Sequence, residues 1–98
     1  MTQETVIIDT IRPETVMTTG QVTVTTGNIL IKAANIGRKQ LLIQNTGSVD
    51  IWVGNTGITA TTGFKLPAGA SYNEDKDTSA FYGTTASGTS VIAFKETV

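Results

Sequence analysis

Short runs of apolar residues recur along this chain of 98 residues, and each run is closed by a turn that contains Gly or Asn. The runs begin about every 8 to 12 residues, a spacing typical of β-sandwiches and β-barrels. No segment carries a helical apolar stripe of useful length. Thr is abundant and 10 Gly stand against 2 Pro, which suits strands and tight turns. We therefore predict an all-β fold: a single small antiparallel β-sandwich, jelly-roll-like or Greek-key, with about eight strands and an extended N-terminal arm.

The N-terminal part differs from the rest of the chain. An apolar segment at 5–11 is followed by Arg12 and Pro13, and proline cannot donate a hydrogen bond to a sheet ladder. We therefore predict an extended segment or arm over residues 1–20 and a sandwich domain over residues 21–98. The segment at 5–11 is either the first strand of the sandwich or a strand that adds to the sheet edge of a neighbouring subunit. Its candidate contact residues are Val6, Ile7, Ile8 and Ile11.

Two hairpins are predicted from the turn residues. Strands at 22–25 and 29–31 flank a Thr-Gly-Asn turn, and Gly and Asn tolerate the positive φ angles that such turns require. Strands at 38–44 and 50–53 flank the turn at 45–48, so the spacing predicts a second hairpin.

Leu42 and Trp52 are the candidate residues of a subunit interface. The residues that flank Leu42 and those that flank Trp52 are apolar and are predicted to face the core. Because side chains alternate along a strand, Leu42 and Trp52 then both point outward, on neighbouring strands of the second hairpin. An outward Trp requires a cover. Either a loop or the N-terminal segment of the same chain covers it, or a second subunit or partner does, because aromatic anchors are enriched at interfaces.

The composition excludes most familiar catalytic sites. The chain has no Cys and no His, which removes disulfides, thiolate chemistry and imidazole catalysis, and a formal net charge of −1 does not attract nucleic acid or an anionic membrane. We expect no catalytic residue, no cofactor and no metal, and we interpret the acidic cluster at 74–77 as a solvated turn. No apolar run approaches about 18 residues, so we expect neither a secretory signal nor a membrane-spanning segment.

Four segments follow one another in a recognisable order. An Asn and an Arg precede an apolar strand that ends in Asn within 35–47, and a strand ending in Gly follows at 50–54. A Gly-apolar-Pro-Gly corner comes next at 63–69, and a final strand at 90–96 ends in an acidic residue. Over roughly 21–96 this order resembles the small β-sandwich virion proteins of tailed bacteriophages.

The resemblance implies a structural virion protein and no enzyme. It implies a capsid decoration (cement) protein that binds the major capsid protein on the outer capsid surface, made in the host cytoplasm, and that stabilises the capsid by bridging capsomers. It also implies a homo-oligomer, with a trimer favoured. In such an assembly the apolar residues of the segment at 5–11 would either anchor to the capsid or exchange between subunits. Arg38 stands just before a core strand in this scheme, so we expect it to pair with a carboxylate or to cap loop carbonyls inside the domain.

Two other functions stay open. A tail or head-fibre module would bind a host receptor or carbohydrate, with Trp52, Tyr72 or Tyr82 stacked on a sugar ring; the isolated domain would then bind glycans weakly. A cellular interaction domain would bind a cellular partner and no capsid.

Overall fold

Within residues 16–98, which the computed structural model describes, the chain forms eight β-strands and no helix. The predicted all-β class and the predicted number of strands are therefore confirmed. The strands are β1 (Met17–Val24), β2 (Ile29–Lys32), β3 (Gln40–Asn45), β4 (Ile51–Gly54), β5 (Phe64–Leu66), β6 (Ser71–Glu74), β7 (Phe81–Thr84) and β8 (Ser90–Thr97).

The strands form two four-stranded antiparallel sheets that share one core. Sheet A has the order β1-β8-β3-β6, and sheet B has the order β2-β7-β4-β5. The pairs β1/β8, β2/β7, β3/β6 and β4/β5 are those of one long hairpin folded over on itself. This strand order is that of an eight-stranded jelly roll. The predicted sandwich is confirmed, in its jelly-roll form.

The core lies between the two sheets and is filled by every second side chain. On β3 Leu41 and Ile43 are buried while Leu42 between them is only half-buried. On β4 Ile51 and Val53 are buried in the same way. The predicted period-two alternation is therefore confirmed for both strands. The remaining buried apolar residues are Val24, Ile31, Leu66, Phe81 and Ile92.

Both predicted hairpins are wrong. β1 and β2 belong to opposite sheets, as do β3 and β4, so the turns at 26–28 and 45–48 carry the chain across the sandwich. Asn28 does adopt a positive φ of 63°, as its turn requires. Turn residues reverse the chain, but they do not decide which strands pair, because pairing depends on cross-strand contacts between residues distant in sequence.

The sandwich begins earlier than the predicted boundary between residues 20 and 21. β1 starts at Met17 and pairs with β8 along its whole length. Residues 17–20 therefore belong to sheet A. The physical reason is that Thr18 and Thr19 have β-branched side chains, which suit a strand. The predicted contact residues of the arm lie outside the described residues, and their roles stay predictions: Val6, Ile7, Ile8 and Ile11.

Arg38 ties the loops at one end of the sandwich to β8. Its side chain is 1% exposed, and its Nε donates to Oε2 of Glu96 at 2.9 Å. The other guanidinium nitrogens donate to the carbonyl oxygens of Ala33, Asp77 and Ser79 at 2.7 to 3.2 Å. Arg38 thus pairs with a carboxylate and caps loop carbonyls, so the role expected for it is confirmed.

Asn45 connects the loops at the other end. It is fully buried at the end of β3. Its Nδ2 donates to the carbonyl oxygens of Val49 and Leu66 at 2.8 and 3.0 Å. Its Oδ1 accepts hydrogen bonds from the N–H of Gly47 at 3.1 Å and the hydroxyl of Ser90 at 2.7 Å. One side chain therefore fixes the β3–β4 connection relative to β5 and β8.

Candidate functional site

The structure separates the two residues that were predicted to share a surface. Leu42 and Trp52 both point away from the core, as predicted, but Leu42 lies in sheet A and Trp52 lies in sheet B. They therefore occupy opposite outer faces of the sandwich. The prediction that they are neighbours on one hairpin is wrong, because the connection between β3 and β4 crosses from one sheet to the other.

Trp52 lies on the outer face of sheet B, between β7 and β5. Its cross-strand neighbours are Thr84 and Lys65. The Nζ atom of Lys65 lies 6.0 Å from the centroid of the indole ring, which is within cation–π range. The same Nζ lies 3.5 Å from Oδ2 of Asp50. The indole is thus an apolar surface bordered by one cation and one carboxylate.

The β4–β5 loop, residues 55–63, covers part of this face. A Cβ placed on Gly54 would lie 2.6 Å from Cγ2 of Ile58, and a Cβ placed on Gly63 would lie 2.9 Å from Cβ of Trp52. Gly at both positions therefore allows the loop to lie directly on β4. Trp52 remains half-buried rather than buried. A loop of the same chain thus supplies part of the cover that an outward Trp requires, and part of the indole is left for a partner.

The exposed part of Trp52 lines an open depression of about 310 Å³. The walls come from the β3–β4 and β7–β8 connections, which Asn45 and Ser90 hold in place. Aromatic surface, one carboxylate and two hydroxyl groups meet here, a combination that suits a polar side chain of a partner protein or a sugar. The lining residues are Ser48, Val49, Asp50, Trp52, Ala86 and Ser87.

Tyr82 lies on the same outer face of sheet B. It is half-buried and stands opposite Leu30 on one side and Gly54 on the other. Leu30 itself is 44% exposed. Exposed apolar surface therefore continues from the centre of sheet B to its edge strand β2.

A second depression, of about 140 Å³, lies beside the edge strands β5 and β6 and was not predicted. The ring centroids of Phe64 and Tyr72 are 5.4 Å apart, and those of Tyr72 and Phe81 are 6.2 Å apart. Glu74 and Asp77 line the same depression. The three aromatic residues lie on three different strands, so no spacing in the sequence indicates that they meet.

Tyr72 is held by Glu74 and does not present a free hydroxyl. Its hydroxyl donates to Oε1 of Glu74 at 2.6 Å, and this hydrogen bond is the main cause that raises the pKa of Tyr72 to about 12. The hydrogen bond from Tyr72 also lowers the pKa of Glu74. The backbone N–H groups of Lys76 and Asp77 lower it further, because both donate to Oε2 of Glu74. The acidic cluster thus forms the turn that was predicted for it.

The Tyr72–Glu74 contact is testable by titration. In a Tyr82→Phe variant Tyr72 is the only tyrosine, so tyrosinate absorbance reports on it alone. We expect a midpoint near 12, and adding Glu74→Gln should move the midpoint down toward the ordinary value of 10.0, because the carboxylate acceptor is lost. A midpoint near 10 in a protein that Trp52 fluorescence shows to be folded would contradict the contact.

Among residues 16–98, no three Asp, Glu, Cys or His side chains lie close enough together to hold a metal ion. The same part of the chain contains no helix that is long and apolar enough to cross a membrane.

Comparison of the chain with models of protein families and with curated proteins found no match.

Proposed function

We propose that this chain is a structural virion protein of a tailed bacteriophage, and that it decorates the outer capsid surface by binding the major capsid protein. The observation that carries the proposal is the half-buried Trp52, which lines an open depression on a jelly-roll domain. Jelly rolls recur in viral capsid domains, which agrees with the resemblance of the sequence to phage virion proteins.

A protein surface is the partner that the Trp52 depression suits best. Hot spots of protein interfaces are aromatic side chains surrounded by a polar rim that excludes water. Trp52 has such a rim, since Lys65 and Asp50 border the indole and form an ion pair with each other. Both rim charges are partly exposed, so they contribute orientation and association rate more than affinity.

The proposed mechanism is mechanical. Several copies of a homo-oligomer would each contact a different capsid subunit, and linked contacts raise the avidity beyond that of one contact. Bridged capsomers then resist the outward pressure of packaged DNA. This role requires no catalysis and no cofactor, and it places the protein on the outer surface of the virion.

Leu42 is left out of the proposed contact. It lies on the outer face of sheet A, next to Lys95 and Asn73, and cannot belong to one patch with Trp52. If the Leu42 face of one copy packed against the Trp52 face of the next copy, the copies would form an open stack rather than a closed ring.

The alternative is a tail or head-fibre module that binds a carbohydrate. The observation that favours it is the same depression, because Trp52 there lies beside the carboxylate of Asp50 and the hydroxyls of Ser48 and Ser87. Sugars stack on aromatic rings and hydrogen-bond to such polar groups.

Co-sedimentation tests the proposal. Purified protein is mixed with expanded capsids from a panel of tailed phages that lack their decoration protein, and in parallel with a glycan array. We expect saturable binding to capsids, which Trp52→Ala weakens by about 30-fold or more, the effect of an interface hot spot worth about 2 kcal/mol. Lys65→Glu, which reverses one rim charge, should slow association with the capsid more than it weakens binding, without loss of core packing.

Leu42→Ala is the matched control, because it removes a half-buried side chain from the opposite face. It should leave capsid binding unchanged. Glycan binding that Trp52→Ala abolishes, with no capsid bound, would replace the proposal with the alternative.

A further inference from the structure

Within residues 16–98, β1 is an edge strand of sheet A without the usual protection of such strands. It is eight residues long, contains no charged residue and no Pro, and pairs with β8 without a bulge. Natural edge strands are commonly protected by a charge, a Pro, a bulge or short length, because their unpaired N–H and C=O groups otherwise template another strand.

The other three edge strands are protected. β2 has a register shift between Leu30 and Lys32. β5 has three residues, one of them Lys65, and β6 has four residues and ends in Glu74. Among the strands described, β1 is therefore the edge that is open to pairing.

The hydrogen-bond pattern identifies which groups of β1 are available. Val16 and Val98 exchange both backbone hydrogen bonds, each at 3.0 Å. Because antiparallel ladders alternate, the N–H and C=O groups of every second residue after Val16 point away from β8. Within residues 16–98 no backbone hydrogen bond reaches these eight groups. They belong to Met17, Thr19, Gln21 and Thr23.

We infer that β1 binds β1 of a second copy of this chain, antiparallel and about a two-fold axis at Gly20. In this register Met17 faces Thr23 of the second copy, and Thr19 faces Gln21. All eight edge groups of each copy then gain a partner. A shift by two residues in either direction would leave Met17 or Thr23 opposite a residue beyond β1, so the strand limits favour one register.

A second copy suits this edge better than another occupant. β1 has no charged residue, so it offers no complementary charge to a charged partner strand. Pairing of β1 with β1 of a second copy brings no like charges together. A two-fold contact uses the same edge on both copies, so it requires no second open edge. It also covers Val16 and Met17, which are 54% and 59% exposed at the start of the strand.

The inference does not rest on the proposed capsid binding. Pairing through β1 forms a two-fold dimer with a continuous eight-stranded sheet, whereas the resemblance to phage proteins implies a trimer. Capsid binding through Trp52 on sheet B and pairing through β1 of sheet A involve different surfaces, so each can fail while the other holds.

A pair of double variants tests the contact and its register by sedimentation equilibrium. The unaltered chain should show about twice the mass of the 10.3 kDa protomer. Thr19→Lys with Gln21→Lys places two like-charged pairs across the axis and should give the protomer mass. Thr19→Lys with Gln21→Glu places two opposite-charged pairs there and should restore the dimer.

A truncation that lacks residues 1–12 completes the experiment. We expect it to remain a dimer, because β1 alone forms the contact. A monomeric unaltered chain, a trimer, a dimer that the truncation abolishes, or the same mass for both double variants would each overturn the inference. Near-ultraviolet circular dichroism of every variant checks that the sandwich is folded.

Discussion

Replacing Arg38 with alanine is expected to lower the free energy of unfolding by about 3–5 kcal/mol, because the change leaves a buried charge without its partner. Glu96 is only 5% exposed on its side chain, and after the change it would keep a single, longer contact to Lys32 at 3.5 Å. The carbonyl oxygens of Ala33, Asp77 and Ser79 would also lose their donor. Small domains are stable by about 5–15 kcal/mol, so much of the stability is lost.

Lys65→Ala is the matched control for Arg38→Ala. It breaks the ion pair with Asp50, in which the side chains are 56% and 39% exposed. An exposed pair contributes about 0–1 kcal/mol, so urea unfolding should detect little change. Equal losses in the two variants would contradict a structural role for the buried pair.

Replacing Asn45 with alanine is expected to lower the free energy of unfolding by about 3 kcal/mol or more, since each buried group left unpaired costs about 1–3 kcal/mol. The change removes the amide nitrogen that donates to the carbonyl oxygens of Val49 and Leu66. It also removes the amide oxygen that accepts hydrogen bonds from Gly47 and Ser90. The walls of the Trp52 depression depend on these same bonds. Thermal unfolding and Trp fluorescence measure both effects.

Thr46→Ala is the control beside Asn45. Its hydroxyl donates to the carbonyl oxygen of Val91 at 3.2 Å but is exposed, so water replaces the contact. We expect a change within about 0.5 kcal/mol. If Asn45→Ala were equally mild, the buried network would not hold these loops.

The local features of the fold were predictable because they depend on neighbours along the chain. The alternation of Leu41, Leu42 and Ile43 correctly places two side chains in the core and one outside. For Arg38 the resemblance implied a carboxylate or carbonyl partner inside the domain, but it did not identify Glu96, which lies 58 residues away in the sequence. Strand pairing was not predictable in this way, because every strand except β4 and β5 pairs only with strands that are not adjacent to it in sequence.

The candidate site was predictable only in part for the same reason. Trp52 points outward, as its period-two position indicates, but its rim requires Lys65 on the paired strand β5. The prediction that Leu42 lies beside Trp52 assumes that consecutive strands form a hairpin. In a jelly roll that assumption fails at most connections, since they cross between sheets.

Whether the protein stabilises capsids is measured by the temperature at which DNA-filled capsids without decoration release their DNA, with and without this protein. If the protein bridges capsomers through Trp52, the release temperature should rise when the unaltered protein is added just to saturation. It should rise much less with the same concentration of Trp52→Ala, which is expected to bind about 30-fold more weakly. An unchanged release temperature on capsids that demonstrably bind the protein would contradict the claim that it stabilises them.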